Sequence, residues 1–357
     1  MSDKWEVMNF SLSTNVQNET EREIFANGKM QAQINVRIKA IVYGTSDTPY
    51  QLTESDLESL KLIDYSTKEE LAGKWKYSRE EDEDFVHTMP GQLPSAAPVV
   101  PNADGSQTVV LWVSSTTLGD KRIAAQITEL GEKPAIVTTT GGTYDSSITI
   151  VAKQPIIYTM DDVTVTREDT AEGFWSKYVT FGNTEKKYTY AWDQDNYYVK
   201  SKLYPFVKVD RKGVDIDGSQ QPYASYPTYF RDAFAYMGLG NDRDVSIFFM
   251  PQMGRSKTTF RGVRASNSYN DIYSYANVTV NQKSNALCLT RLLFGNGWVS
   301  WYSNWQPDTW FTIYDQYGNP GYFSVKTNGS NTISISTRYV NRELSADSRT
   351  IESTSKL

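Results

Sequence analysis

A chain of 357 residues with 39% hydrophobic and 13% aromatic content has the material for two packed domains rather than one. Its formal charge of −6 argues against nucleic acid and against anchoring on anionic lipid, since both draw on Lys and Arg. One cysteine, Cys288, excludes an intrachain disulfide, and with one histidine, His87, it cannot form a Cys/His zinc site, so neither metal nor cofactor is expected.

The opening MSDKWEVMNFSLSTNVQNE has no apolar h-region and no small-residue cleavage site. It therefore predicts synthesis in the cytoplasm without a Sec signal, and a non-Sec route for any action outside the cell. No apolar run of about 18 residues occurs, so no membrane insertion is predicted. Residues 4–13 alternate loosely and read as a first strand. Asn27-Gly28 is a hairpin-type turn signal, and Ile34, Val36, Ile38, Ala40 and Val42 alternate at strand period. Thr53 followed by Asp56 is close to a capping box and predicts one short helix, then a strand at 61–65. Residues 78–106 join an acidic run, Glu80–Asp84, to four prolines and small residues, which predicts a long surface loop. A calcium site there would need carboxylates converging around a turn, and consecutive acids do not supply that. Alternation resumes at 108–116, 122–130 and 145–153, separated by glycine turns, so residues 1–155 read as an antiparallel sandwich.

The "ANG…Q" opening at residue 26 and the "VSS…G…IAAQIT" strand pair resemble the immunoglobulin-like modules of bacterial invasin-type adhesins. That resemblance implies an immunoglobulin-like sandwich acting as a rigid scaffold, and it spans at most residues 20–155. The inserted helix and the acidic, proline-rich loop depart from it.

Pro155 marks a boundary, because proline ends strand pairing. Beyond it tyrosines crowd the chain and six of the nine tryptophans occur. Strands are predicted at 156–166, 186–200, 203–210, 245–250, 276–281, 286–294, 309–315, 321–327 and 332–338, and a helix over 228–239 on the spacing of Phe230, Phe234 and Met237. The fold expectation for 156–340 is an aromatic-rich β-sandwich, jelly-roll-like, making the whole chain all-β. Residues 341–357 are polar and aperiodic, a tail or arm. The "ALCLTRLLF" strand, the aromatic block and "FTIYDQYGNPGYFSV" resemble multi-domain β proteins of Pseudomonas-type bacteria with no assigned function. The likeness implies domain order and no activity.

Nucleophilic catalysis lacks a base, since His87 is the only imidazole and lies far along the chain from Cys288. Cys288 in LCLTRLL reads as a small buried hydrophobe. DIDGSQ at 215–220 opens like a calcium loop but has Gln220 where glycine is needed, so a turn is the better reading. Asp193/Asp195 and Asp308/Asp315 are paired carboxylates near aromatics, the arrangement of a glycoside-cleaving enzyme; exposed strand-end acids explain them as well.

The segment 298–325 carries four tryptophans and four tyrosines interleaved with polar residues. Its tryptophan spacing fits neither strict period 2 nor a helix. Such rings fill a core, stack on sugar faces, or form a protein interface. The glycan-binding candidates are Trp301, Trp305, Trp310, Asn304, Gln306, Asp308, Tyr314 and Tyr317. The sequence thus points to a non-enzymatic recognition protein for a glycan or cell-surface receptor, lectin- or adhesin-like, such as the targeting part of a toxin or tail-like particle. The alternatives are a self-assembling β protein joined through its C-terminal arm and, second, the glycoside-cleaving enzyme.

Overall fold

The computed structural model describes residues 4–92, 104–217, 231–239, 244–254, 258–266, 271–280, 283–295, 305–328 and 332–339. The chain is nearly all β, with 58% strand against 4% helix, and among the described residues no sheet closes into a barrel. Among the described residues no helix is long and apolar enough to cross a membrane. Two compact units form: the first holds 1–157 together with 204–208 and 314–320, and the second holds 158–203, 209–313 and 321–357. The first unit therefore draws two short segments from beyond the boundary read at Pro155.

In the first unit the chain forms β1 (Trp5–Thr14), β2 (Glu21–Phe25), β3 (Ala32–Val42), β4 (Pro49–Tyr50), α1 (Glu54–Leu57), β5 (Lys61–Asp64), β6 (Trp75–Ser78), β7 (Gln107–Ser115), β8 (Gly119–Leu130), β9 (Pro134–Thr138) and β10 (Ile148–Lys153). One sheet runs β1-β3-β7-β6 with β4 on β3, the other β2-β10-β8-β5 with β9 on β8. The β2–β10 pair is parallel, an exception to the antiparallel pattern expected. Alternation along β3 buries Ile34, Val36 and Ile38, which join Leu62, Ile123 and Ile150 from the other sheet in one core.

The Thr53 signal becomes α1. The Asp56 amide donates to Thr53 Oγ1 at 3.3 Å, and the Thr53 amide donates to Asp56 Oδ2 at 2.8 Å. The same carboxylate accepts from Trp5 Nε1 at 3.0 Å and from the Tyr50 hydroxyl at 3.2 Å. Burial alone would raise the Asp56 pKa, but the bonds from Thr53, Trp5 and Tyr50 outweigh it and hold the carboxyl below its ordinary range.

The loop after β6 contains no strand in its described part, yet it is pinned. Phe85 is buried with its ring edge-on to Tyr314, and the Val86 amide donates to the Gln316 carbonyl at 2.7 Å. His87 Nδ1 accepts from the Gln31 amide at 3.0 Å, so Nε2 carries the proton and faces the Asp82 carbonyl at 3.0 Å. Burial pushes the His87 pKa below the ordinary histidine value.

The 314–320 segment is set by polar bonds. Asp315 Oδ1 accepts from the amides of Tyr317 at 2.8 Å and Asn319 at 2.9 Å. Asn27 Nδ2 donates to the Tyr317 carbonyl at 2.9 Å and to Asn319 Oδ1 at 3.0 Å. Gly318 has φ +79°, and a Cβ there would sit 2.4 Å from Lys29 Cβ, so only glycine fits.

Beyond Tyr158 the strands are β11 (Val163–Phe181), β12 (Thr184–Ser201), β13 (Phe206–Lys212), β14 (Ala233–Leu239), β15 (Asp244–Phe249), β16 (Thr258–Ser266), β17 (Asp271–Val280), β18 (Ala286–Gly295), β19 (Thr309–Asp315), β20 (Pro320–Asn328) and β21 (Thr332–Thr337). They form sheets ordered β11-β12-β18-β15-β14 and β13-β19-β20-β21, with β16-β17 as a ribbon. The helix expected over 228–239 is overturned, since 233–239 is strand β14 and 228–230 lies outside the described residues. A bulge between Ala233 and Ala235, in the pairing with β15, breaks period-2 alternation and leaves Phe234 and Met237 three apart.

Candidate functional site

β19 and β20 alternate. Phe311 and Phe323 turn inward and pack together with centroids 5.4 Å apart, while Trp310, Tyr322 and Ser324 are only half-buried. On β21, Ser336 stands opposite Ser324, and the Arg338 amide just beyond the strand donates to the Tyr322 carbonyl at 2.8 Å. The Arg338 guanidinium then lies over the Trp310 indole, 5.1 Å from its centroid. Its Nη1 donates to Asp308 Oδ2 at 3.1 Å and approaches Ser324 Oγ at 3.5 Å. The Asp308 side chain is 73% exposed and that of Arg338 33%. An ion pair this exposed contributes at most about 1 kcal/mol, and the cation–π contact a similar amount. The cluster is therefore a poor stabiliser. What it does is hold a ring, a guanidinium, a carboxylate and hydroxyls together on an open sheet face.

The other candidates fall in different settings. Trp305 pairs with Tyr236 through two backbone bonds of 3.0 Å, and its ring stacks on the buried Tyr236 ring at 5.9 Å. Gln306 is exposed, with Nε2 donating to Thr327 Oγ1 at 2.7 Å. Tyr314 and Tyr317 belong to the first unit. The Tyr314 ring is half-buried beneath Lys29 Nζ at 5.9 Å, whereas Tyr317 is buried against Phe25 and edge-on to Tyr204 at 4.8 Å. Trp301 and Asn304 lie outside the described residues, as does the arm 341–357. Arg338 was not among the sequence candidates. It stands 28 positions from Trp310 along the chain, and only strand pairing brings the two together.

The paired carboxylates are each engaged. Asp193 and Asp195 point to one face of β12, and Arg291 Nη2 on β18 donates to both. Arg167 Nη2 adds a bond to Asp195 at 2.7 Å. Asp308 and Asp315 lie in different units, and Asp315 is consumed by the turn at Tyr317 and Asn319. Cys288 is fully buried, and burial pushes its thiol up to about 12. No cluster of three or more His, Cys, Asp or Glu suited to a metal occurs among the described residues.

No protein-family profile matches the sequence, and no curated protein matches it. Among solved structures, this chain is similar to the C-terminal domain of the AgI/II polypeptide BspA of Streptococcus agalactiae. The identity is 8%, over 94% of this chain and 99% of that one, with a TM-score of 0.19. It is also similar to the C-terminal domain of the antigen I/II-family protein AspA of Streptococcus pyogenes, at 9% identity over 88% and 97% with a TM-score of 0.20. At such scores the likeness transfers neither fold nor function.

Proposed function

We propose that this protein is a non-enzymatic recognition protein that binds a glycan, free or on a cell surface, through the face around Trp310. The observation that carries the reading is the Asp308–Arg338–Trp310 cluster on the open side of β19–β21. A sugar presents CH groups that stack on an aromatic ring and hydroxyls that both donate and accept. Trp310 offers the ring, Asp308 accepts, Arg338 donates, and Ser324 does either.

Intrinsic tryptophan fluorescence of the full chain, titrated with a panel of neutral and acidic oligosaccharides, tests this reading. At least one member should shift the emission saturably. Trp310→Ala should abolish the shift, and Asp308→Asn should weaken binding about tenfold, the effect of losing a charged hydrogen bond. A panel without any responder, or a response indifferent to Trp310→Ala, sinks the proposal.

A further inference from the structure

The acidic run Glu80–Asp84 follows a bent path that its own charges oppose. Its side chains are exposed except for Asp82, which is half-buried. Consecutive carboxylates repel one another, so such a run stays folded back only where something pins it. At one end Lys208 pairs with Asp84. The middle is pinned to Gln31, in the turn before β3. Gln31 Nε2 donates to the Glu80 carbonyl at 3.3 Å, and Gln31 Oε1 accepts from the Asp82 amide at 2.7 Å.

His87 closes this set of bonds. The Gln31 amide donates to His87 Nδ1 at 3.0 Å, and Nε2 faces the Asp82 carbonyl at 3.0 Å. The imidazole packs against the Trp112 indole of β7 with centroids 5.3 Å apart, and the side chain is 7% exposed. Both ring nitrogens are in use, and the pattern admits only the neutral ring. Nδ1 has to accept, because an amide N–H points at it, whereas a protonated imidazole donates from both nitrogens. Protonation therefore sets two N–H groups against each other. The ring must turn away, and the Gln31 amide and the Asp82 carbonyl lose it together.

The charged groups that bear on the ring are Glu81, with Oε1 4.0 Å from Nε2, and Asp82, both on its own loop. Gln31 and Trp112, which face it from the turn before β3 and from β7, carry no charge. Burial resists protonation and outweighs the pull of the two acids. The closed loop thus takes up a proton less readily than the open one, and acid moves the balance toward open. We infer that His87 is a proton-operated latch: its neutral ring holds the acidic run against Gln31, and protonation frees the run and uncovers Trp112. The latch lies within the first unit and does not depend on what the Trp310 face binds.

Amide exchange of the full chain, followed by NMR and corrected for the intrinsic rate, tests this at about pH 7.5 and about pH 5.5. Protection of the Gln31 and Asp82 amides should fall about fivefold or more on acidification, the scale of one lost hydrogen bond. Both should exchange faster than the β3 amides at either pH, because the loop opens without the unit unfolding. In His87→Asn, whose side-chain oxygen accepts but takes up no proton, their protection should be the same at both pH values, and likewise in His87→Gln. The nitrogen shifts of the single imidazole should show the Nε2–H tautomer at the upper pH. Any of four results overturns the inference: wild-type protection that ignores pH, a fall as large in both variants, exchange of the two amides only in step with β3, or a neutral ring protonated on Nδ1.

Discussion

Two groups of buried polar residues, one in each unit, are satisfied in different ways. In the first, Asp56 and Asn27 sit at a helix start and a turn, where each satisfies backbone amides that no ladder could reach. In the second, Gln194, Asp195, Asn196, Thr290 and Arg291 lie mid-strand, where the backbone is already paired and the side chains must satisfy one another. Polar residues at strand ends stabilise a fold at little cost. In strand centres they are tolerated only when a network or a ligand completes them.

The strongest way to break this contrast is Arg291→Leu. It strands Asp195 without its main counter-charge and should cost the second unit about 3–5 kcal/mol. Adding Asp195→Leu should return most of that loss, because no buried charge is then left unpaired: Asp193 and Arg167 each lose a partner but reach solvent. Urea unfolding followed through amide exchange in β12 and β18 checks both, and a double variant no better than the single one refutes the account. Asp56→Ala probes the other mode. It removes the cap of α1 and the acceptor for Trp5 and Tyr50, and should destabilise the first unit by about 2 kcal/mol. The same measurement read at β1 amides should show it, with β12 and β18 untouched.

The smallest expected effect is titration. The folded state holds the His87 pKa below the ordinary value of 6.5. The unfolded chain therefore takes up the proton first as pH falls, and stability contributed by neutral His87 is full above that value and lost progressively below it. Asp56, whose pKa is lowered, adds a second loss further into acid, below the ordinary value of 3.8. His87→Gln should flatten the upper slope and leave the lower one. An unchanged slope just below pH 6.5 would show that another group governs that window.

Strand positions were largely legible where strands such as β3 and β7 alternate at period 2, and the Thr53–Asp56 spacing showed the cap directly. Period failed where the backbone leaves it. The bulge in β14 counterfeited helical spacing, and β9, Pro134–Thr138, begins at a proline that masks it. The candidate face was legible only in part. Aromatic and polar composition pointed to Asp308 and Trp310, and equally to Trp305, Gln306, Tyr314 and Tyr317, which stand elsewhere; nothing local pointed to Arg338.

Local chemistry in the chain by itself determined the β character, the capped helical turn and the change of material near residue 155. Each follows from backbone preferences and side-chain alternation acting over a few residues. Tertiary structure decided which charges meet: Arg338 over Trp310, Arg291 between Asp193 and Asp195, and Asn27 on the turn at Asn319. Those meetings depend on sheet order and register, which join residues up to 292 positions apart and which no short-range pattern encodes.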